Sequence, residues 1–170
     1  MTRATTHLKN INVNDEYGTP KRVFERACND FSIFPTIDIC ASKNNHVVSN
    51  YLTKFDNCFM HNIEEDFFMN PPYSKIKSFM RFAWEQHHRN DLNALILTFA
   101  KTDTEWWHDY VENQAEVHFI KGRIQFNDFE GNPTKIFDRK TGQLKNGFAP
   151  YGSCWIIFRM KGKHGGGGEI

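Results

Sequence analysis

Asn70-Pro71-Pro72-Tyr73, set directly after the apolar run Phe67-Phe68-Met69, is the stretch of this chain best equipped for chemistry. A nucleobase amino group is a poor nucleophile while its lone pair is delocalised into the ring. The Asn70 side-chain oxygen and the Pro71 carbonyl can each accept a hydrogen bond from such an NH2. They would localise the lone pair and aim it at an electrophilic methyl group without any covalent intermediate. Two consecutive prolines fix φ and remove N–H donors, so the turn is stiff and its carbonyls are left to accept. Tyr73 offers a flat face for a base taken out of its stack, a contact worth about 1–3 kcal/mol. The chemistry expected is methyl transfer to a planar exocyclic amine such as that of adenine. A plain strand-ending turn is the alternative, since Asn and Pro favour turns in any case.

Such a turn must be carried by a scaffold, and the chain alternates strand and helix signals. Thr19-Pro20 reads as an N-cap followed by Pro at the first helical position, with Val23, Phe24, Ala27, Cys28 and Phe31 at helical spacing behind it. Thr36–Ala41 and Asp66–Met69 read as short buried strands. Ser74 is placed to cap a helix whose apolar face is Ile76, Phe79, Met80, Ala83 and Trp84. Ala94–Ala100 is a continuous apolar run of the kind found inside parallel sheets. Thr102-Asp103-Thr104-Glu105 resembles a capping box opening a helix through Trp107, Tyr110 and Val111. Val117–Ile120 and Ser153–Arg159 complete the strand set. The alternation predicts an α/β fold, a mostly parallel sheet with helices on both faces. In such sheets ligands gather outside the carboxyl ends of the strands, where strand order reverses. Asp38–Ser42 and Asn70–Tyr73 both fall at such ends. Asp38 there reads either as a carboxylate near a donor's charged amino-acid moiety or as a strand-end residue capping the next segment.

Composition bounds the partners. In 170 residues, 21 Lys and Arg stand against 20 Asp and Glu, so no global positive field marks a nucleic-acid partner and any such contact must be local. Cys28, Cys40, Cys58 and Cys154 contain no Cys-x-x-Cys pair and read as reduced thiols of a cytoplasmic protein, with no metal site expected. No signal peptide and no apolar run of membrane-spanning length is seen, which predicts no membrane partner.

Several segments in a fixed order make the chain resemble the small DNA N6-adenine methyltransferases often encoded by bacteriophages, the phage Dam type. They are Asp15–Pro20, Ile37–Ser42, Asn70–Ser74, Lys101–His108, Gly122–Phe126 and Pro150–Ser153. The resemblance runs from Asp15 to about Arg159. It implies S-adenosylmethionine as donor, a Rossmann-like methyltransferase fold, and double-stranded DNA as partner with the target base flipped out. It also implies that Asn70, Pro71, Pro72 and Tyr73 are the catalytic tetrad. Tyr17, Thr19, Pro20, Asp38, Cys40 and Ala41 match segments that lie against the donor, with Asn70 beside it, and Asp56 matches an acidic segment that approaches its adenosine part. The glycine-rich turn of larger methyltransferases is replaced here by Ala41-Ser42-Lys43.

The organisation expected is one methyltransferase domain over 15–160 between flexible segments at 1–14 and 161–170. Within it, 122–150 is rich in turn signals and cations. Arg123, Lys135, Arg139 and Lys140 there are candidates for phosphate contact, a solvated hairpin being the plainer alternative. Other amines (cytosine N4, RNA adenine, a glutamine side chain) and a catalytically silent nucleic-acid-binding relative remain the competing readings.

Overall fold

The structure is a computed structural model and describes residues 17–128 and 130–161. The expected terminal segments, Lys161 apart, and Asp15 and Glu16 lie outside the described residues.

Among the described residues, eight strands and three α-helices follow one another as α1 (Lys21–Phe31), β1 (Ile37–Ala41), β2 (Asn50–Thr53), β3 (Phe67–Met69), α2 (Ile76–Asn90), β4 (Ala94–Phe99), α3 (Glu105–Tyr110), β5 (Glu116–Phe119), β6 (Lys135–Asp138), β7 (Gln143–Asn146) and β8 (Ser153–Phe158). Six strands form one sheet in the order β2-β1-β3-β4-β8-β5, while β6 and β7 pair only with each other. The first four strands of that order run parallel; β8 runs antiparallel to both β4 and β5. The fold is thus α/β with a mostly parallel central sheet, compatible with a Rossmann-like architecture.

β4 and β8 are apolar at nearly every position because both faces of the central strands are covered. Alternate residues of β4 enter two cores. Ala94 and Ile96 join Met80, Ala83, Trp106 and Trp107 from α2 and α3. Leu95, Leu97 and Phe99 join Phe24, Ala27 and Cys28 from α1 on the other face. Helices therefore lie on both faces, as the alternation predicts. Burial of this kind stabilises by about 25 cal/mol per Å² of apolar surface, and the period-2 alternation of β4 decides which core each side chain serves.

Helix ends differ from the sequence reading. The N-cap of α1 is Pro20, with no side-chain cap, because the Thr19 hydroxyl is engaged elsewhere. A 3₁₀ turn, Tyr73–Lys75, takes in Ser74 and leads into α2. Thr104 is the N-cap of α3, but its hydroxyl donates to the Lys101 carbonyl, 2.7 Å away, and no capping box forms. At their C-termini, α1 and α2 stop at Ser32 and Asp91, both in the left-handed region, where the backbone N–H turns back to Cys28 and His87 respectively.

Because β8 is reversed, its first residue, Ser153, sits opposite Phe99 at the end of β4. The chain leaves β5 and returns to β8 at one point, where Ile120 N–H donates to the Ser153 carbonyl (2.9 Å). The whole excursion between them, including the β6–β7 hairpin, emerges from the carboxyl edge of the parallel strands.

Candidate active site

β3 ends at Met69, so Asn70 is delivered to the carboxyl edge of the sheet next to the end of β1. Strand order reverses between these two strands. Asn70 is buried, and its amide nitrogen donates to the Tyr17 carbonyl (2.6 Å) and to Thr19 Oγ1 (3.0 Å). Two acceptors fix which way the carboxamide faces, leaving Oδ1 as its acceptor. The Tyr73 hydroxyl reaches that oxygen at only 3.4 Å, near the limit of a hydrogen bond.

Tyr17 and Tyr73, both in contact with Asn70, form part of the wall of a cavity of about 440 Å³ that also includes Thr98, Phe99, Lys101 and Tyr151. Tyr73 stacks on Phe99 with ring centroids 3.8 Å apart and planes within 9°. One face of Tyr73 is therefore taken, and a base resting on that ring must meet the other face. Tyr17 stands edge-on to Tyr73, Phe99 and Phe126, which brings the segment before α1 into the same aromatic cluster. Lys101 holds its ammonium 3.3 Å from the centroid of the Tyr151 ring, a cation–π contact at the wall. Phe99, Tyr151 and Lys101 carry no site signal of their own in the sequence, although Lys101 and Tyr151 lie within segments that carry the family resemblance. Thr98, also in the wall, has a buried hydroxyl with no hydrogen-bond partner among the described residues.

Asp38, the second residue of β1, is also buried. One carboxylate oxygen accepts from the Cys40 N–H and the other from the Val47 N–H, each at 3.2 Å. It ties the loop after β1 back onto the strand, which matches the capping alternative. Burial pushes its pKa up to about 6, against the opposing pull of those two N–H groups and His46. Cys40 and Cys58 hydrogen-bond to each other through their thiols, burial raising Cys40 well above the usual range and the bond to Cys40 lowering Cys58; all four cysteines are free. Ala41 pairs with Thr53 of β2. Asp56, exposed just beyond β2, uses Oδ2 to accept from Thr53 N–H (2.8 Å) and Oγ1 (2.7 Å), which lowers its pKa. Pro71 is buried, Pro72 half-buried, and Pro20 buried at the start of α1.

The loop after β1 is locked against the opening segment. Gly18 exchanges two backbone hydrogen bonds with Asn127 (2.9 and 2.7 Å), and Asn127 Nδ2 donates to Asn45 Oδ1 (3.0 Å). A Cβ on Gly18 would fall 2.5 Å from Asn45 Cγ, so a larger residue there would displace the Asn45 side chain and its bond to Asn127.

The candidate phosphate ligands are less gathered. Arg123, Arg139 and Lys140 are exposed; Lys135 donates to Asn146 Oδ1 (2.6 Å), and Lys145 pairs with Asp138 (3.1 Å). Phe126 is core, not surface. Among the described residues no group of three or more His, Cys, Asp or Glu could hold a metal ion, and no helix is long and apolar enough to cross a membrane.

Comparison with known proteins agrees with this arrangement. The chain is 29% identical over 157 residues to a DNA N-6-adenine-methyltransferase of Haemophilus phage HP1, covering 90% of this chain and 89% of that protein. It is 28% identical over 123 residues to a DNA N-6-adenine-methyltransferase of Escherichia phage T1, covering 71% of this chain and half of that protein. With the profile of the DNA N-6-adenine-methyltransferase (Dam) family matching residues 5–163, the chain belongs to that family, whose reaction is the methylation of adenine in DNA.

Proposed function

We propose that this protein transfers a methyl group from S-adenosylmethionine to N6 of an adenine rotated out of duplex DNA, using one catalytic domain over residues 15–160. The observation that carries the reading is the Asn70 carboxamide, held by Tyr17 and Thr19 with its oxygen as the acceptor beside an aromatic cavity. A planar NH2 brought from that cavity against the Asn70-Pro71 turn would find Oδ1 and the Pro71 carbonyl as acceptors. Its hydrogen bond replaces the long contact from the Tyr73 hydroxyl. The amine is oriented before it reacts, and its proton is lost to solvent once nitrogen has been alkylated, so no residue need act as a base beforehand. Extrusion costs a few kcal/mol, offset by stacking against Tyr73 and by exclusion of water from the cavity.

When bound, the donor supplies an electrophilic methyl on a sulfonium centre. The crevice outside β1 and β3 fits it: strand order reverses there, and the small Ala41 ends the strand. The loop closing the crevice is clamped by Asp38. Thr19, Pro20, Cys40 and Ala41 would line it, with Asn70 toward the base and Asp56, just beyond β2, for the adenosine part. Asp38 acts as a positioning residue because both its oxygens are already committed to backbone N–H groups. Arg123, Lys135, Arg139 and Lys140 meet phosphates from the excursion that leaves this same edge.

The test is to incubate the purified protein with unmethylated duplex DNA and labelled S-adenosylmethionine, digest to nucleosides and identify the product by mass spectrometry. N6-methyladenine is the expected product. N4-methylcytosine, or no methylated nucleoside despite donor binding, would overturn the reading.

A further inference from the structure

Asn127 stands where three segments of the chain meet. Its backbone N–H donates to the Gly18 carbonyl (2.7 Å), and its carbonyl accepts from the Gly18 N–H (2.9 Å). Its side-chain Nδ2 donates to Asn45 Oδ1 (3.0 Å), 82 residues away in sequence. Each contact leads to a different part of the site. Gly18 lies between Tyr17 and Thr19, whose carbonyl and hydroxyl hold the Asn70 amide. Asn45 belongs to the loop after β1, where it exchanges two backbone hydrogen bonds with Ser42 (2.9 and 3.1 Å). Two residues further on, Val47 N–H donates to Asp38. Asn127 itself opens the stretch that leads into the β6–β7 hairpin. Its neighbour Phe126 accepts, through one carbonyl, both the N–H and the hydroxyl of Thr134 at the hairpin's root (2.9 and 2.8 Å). Gly131, in the same stretch, lies so near the loop after β1 that an added Cβ would fall 2.5 Å from the Asn44 carbonyl oxygen. The outer turn of that loop is thereby seated on the segment that carries the hairpin's cations.

We propose that Asn127 is a positioning residue that ties donor binding to DNA binding, its side chain holding the loop after β1 closed on the donor when DNA phosphates fix the hairpin segment. The inference rests on the proposed placement of donor and DNA. A hydrogen bond that served the fold alone would contribute equally to donor binding with and without DNA. A bond between two segments that each meet a ligand behaves differently, because the ligand that orders one lowers the cost of ordering the other. By linkage the gain is mutual, so donor strengthens DNA binding by the same factor. The backbone pair to Gly18 survives any change of the Asn127 side chain. Asn127→Ala therefore separates the link to the donor loop from the link to Asn70.

The target site is first found by sequencing DNA modified by the wild-type protein. Binding of S-adenosylhomocysteine, which has no methyl to transfer, is then measured by calorimetry with and without an oligonucleotide duplex carrying that site. In the wild type the duplex should lower its Kd by about fivefold or more. Asn127→Ala and Asn45→Ala should each cut that gain to less than about twofold, keep the Kd without DNA within about threefold, and combine in the double variant with no further loss. The retained affinity without DNA also reports a folded protein. Equal weakening with and without DNA would make the pair a structural seat and nothing more. That result, additive losses in the double variant, or a wild type that gains nothing from DNA would overturn the proposal while leaving the methyl-transfer reading intact. No N6-methyladenine from the wild-type protein on any DNA would overturn both.

Discussion

Thr19 illustrates how much of the chemistry depends on one hydroxyl. Its Oγ1 accepts from the Asn70 amide at 3.0 Å, across 51 residues of sequence, and so helps determine which atom of that amide is left to accept. Thr19→Val keeps the shape and removes the acceptor. It should lower kcat by about tenfold with little change in donor affinity, and Thr19→Ser should restore most of the loss. A fall in donor affinity alone would make Thr19 a wall of the donor crevice and nothing more. Asn70→Ala should cost about 10²–10³ in kcat, measured under saturating donor, while donor binding by calorimetry persists. Asp38 carries a pH signature. Its folded pKa of about 6 lies above the ordinary carboxylate value of 3.8, so the native state holds the proton more tightly than the unfolded chain. Its contribution to stability is full below about pH 4 and is lost as pH rises through 6, by an amount on the order of 3 kcal/mol. Chemical unfolding of wild type and Asp38→Asn across pH 4–7 should show the wild type losing ground to the variant; parallel profiles would refute this. At this scale the place of Asn70 directly after a buried strand was readable from the apolar run Phe67-Phe68-Met69 and the prolines that follow. The Asn70–Thr19 bond was not, because nothing local to either residue names a partner that distant.

The elements that matter most for substrate are loops and the hairpin. Arg139 and Lys140, the proposed phosphate contacts, lie exposed near the hairpin tip. Each Ala substitution should lower the slope of log affinity against log salt by about one, whatever the DNA sequence. Gly131 sits at φ +85 with an added Cβ only 2.5 Å from the Asn44 carbonyl oxygen, so Gly131→Ala should destabilise by about 1–3 kcal/mol in thermal melts. The buried strands β1, β3, β4 and β8 were legible as apolar runs, and α1 and α2 as 3.6-residue periodicity. β2 was missed because an edge strand of four half-exposed residues, Asn50-Tyr51-Leu52-Thr53, carries neither signal. Ser74 and the Thr102–Glu105 stretch were read as caps because their residue types suit that role. The structure satisfies those helix starts with a 3₁₀ turn and with bonds that run backwards along the chain.

The two cores share one sheet, so the molecule should unfold as one cooperative unit. Ile96 and Leu97 are neighbours on β4 that point into opposite cores. Ile96→Ala and Leu97→Ala should each cost about 2–5 kcal/mol and each shift a single transition, with coincident midpoints by circular dichroism and tryptophan fluorescence. Two separated transitions in either variant would show that the faces are held independently. Strand–helix alternation was enough to expect parallel pairing and helices on both faces. The reversal of β8 was not visible, since Ser153–Phe158 is an apolar run that reads the same in either direction. That reversal has a further effect through the single bond from Ile120 to Ser153, at which the chain departs from and rejoins the sheet. Everything between those residues forms a cassette that leaves and re-enters the sheet there and is seated on the framework by Asn127 against Gly18 and Asn45 and by Phe126 in the core. The outer hairpin of that cassette, Lys135–Asn146, can change in length and sequence without shifting the register of any strand of the six-stranded sheet, so its share of the DNA preference of one such enzyme should be transplantable onto the catalytic framework of another while those seats are kept.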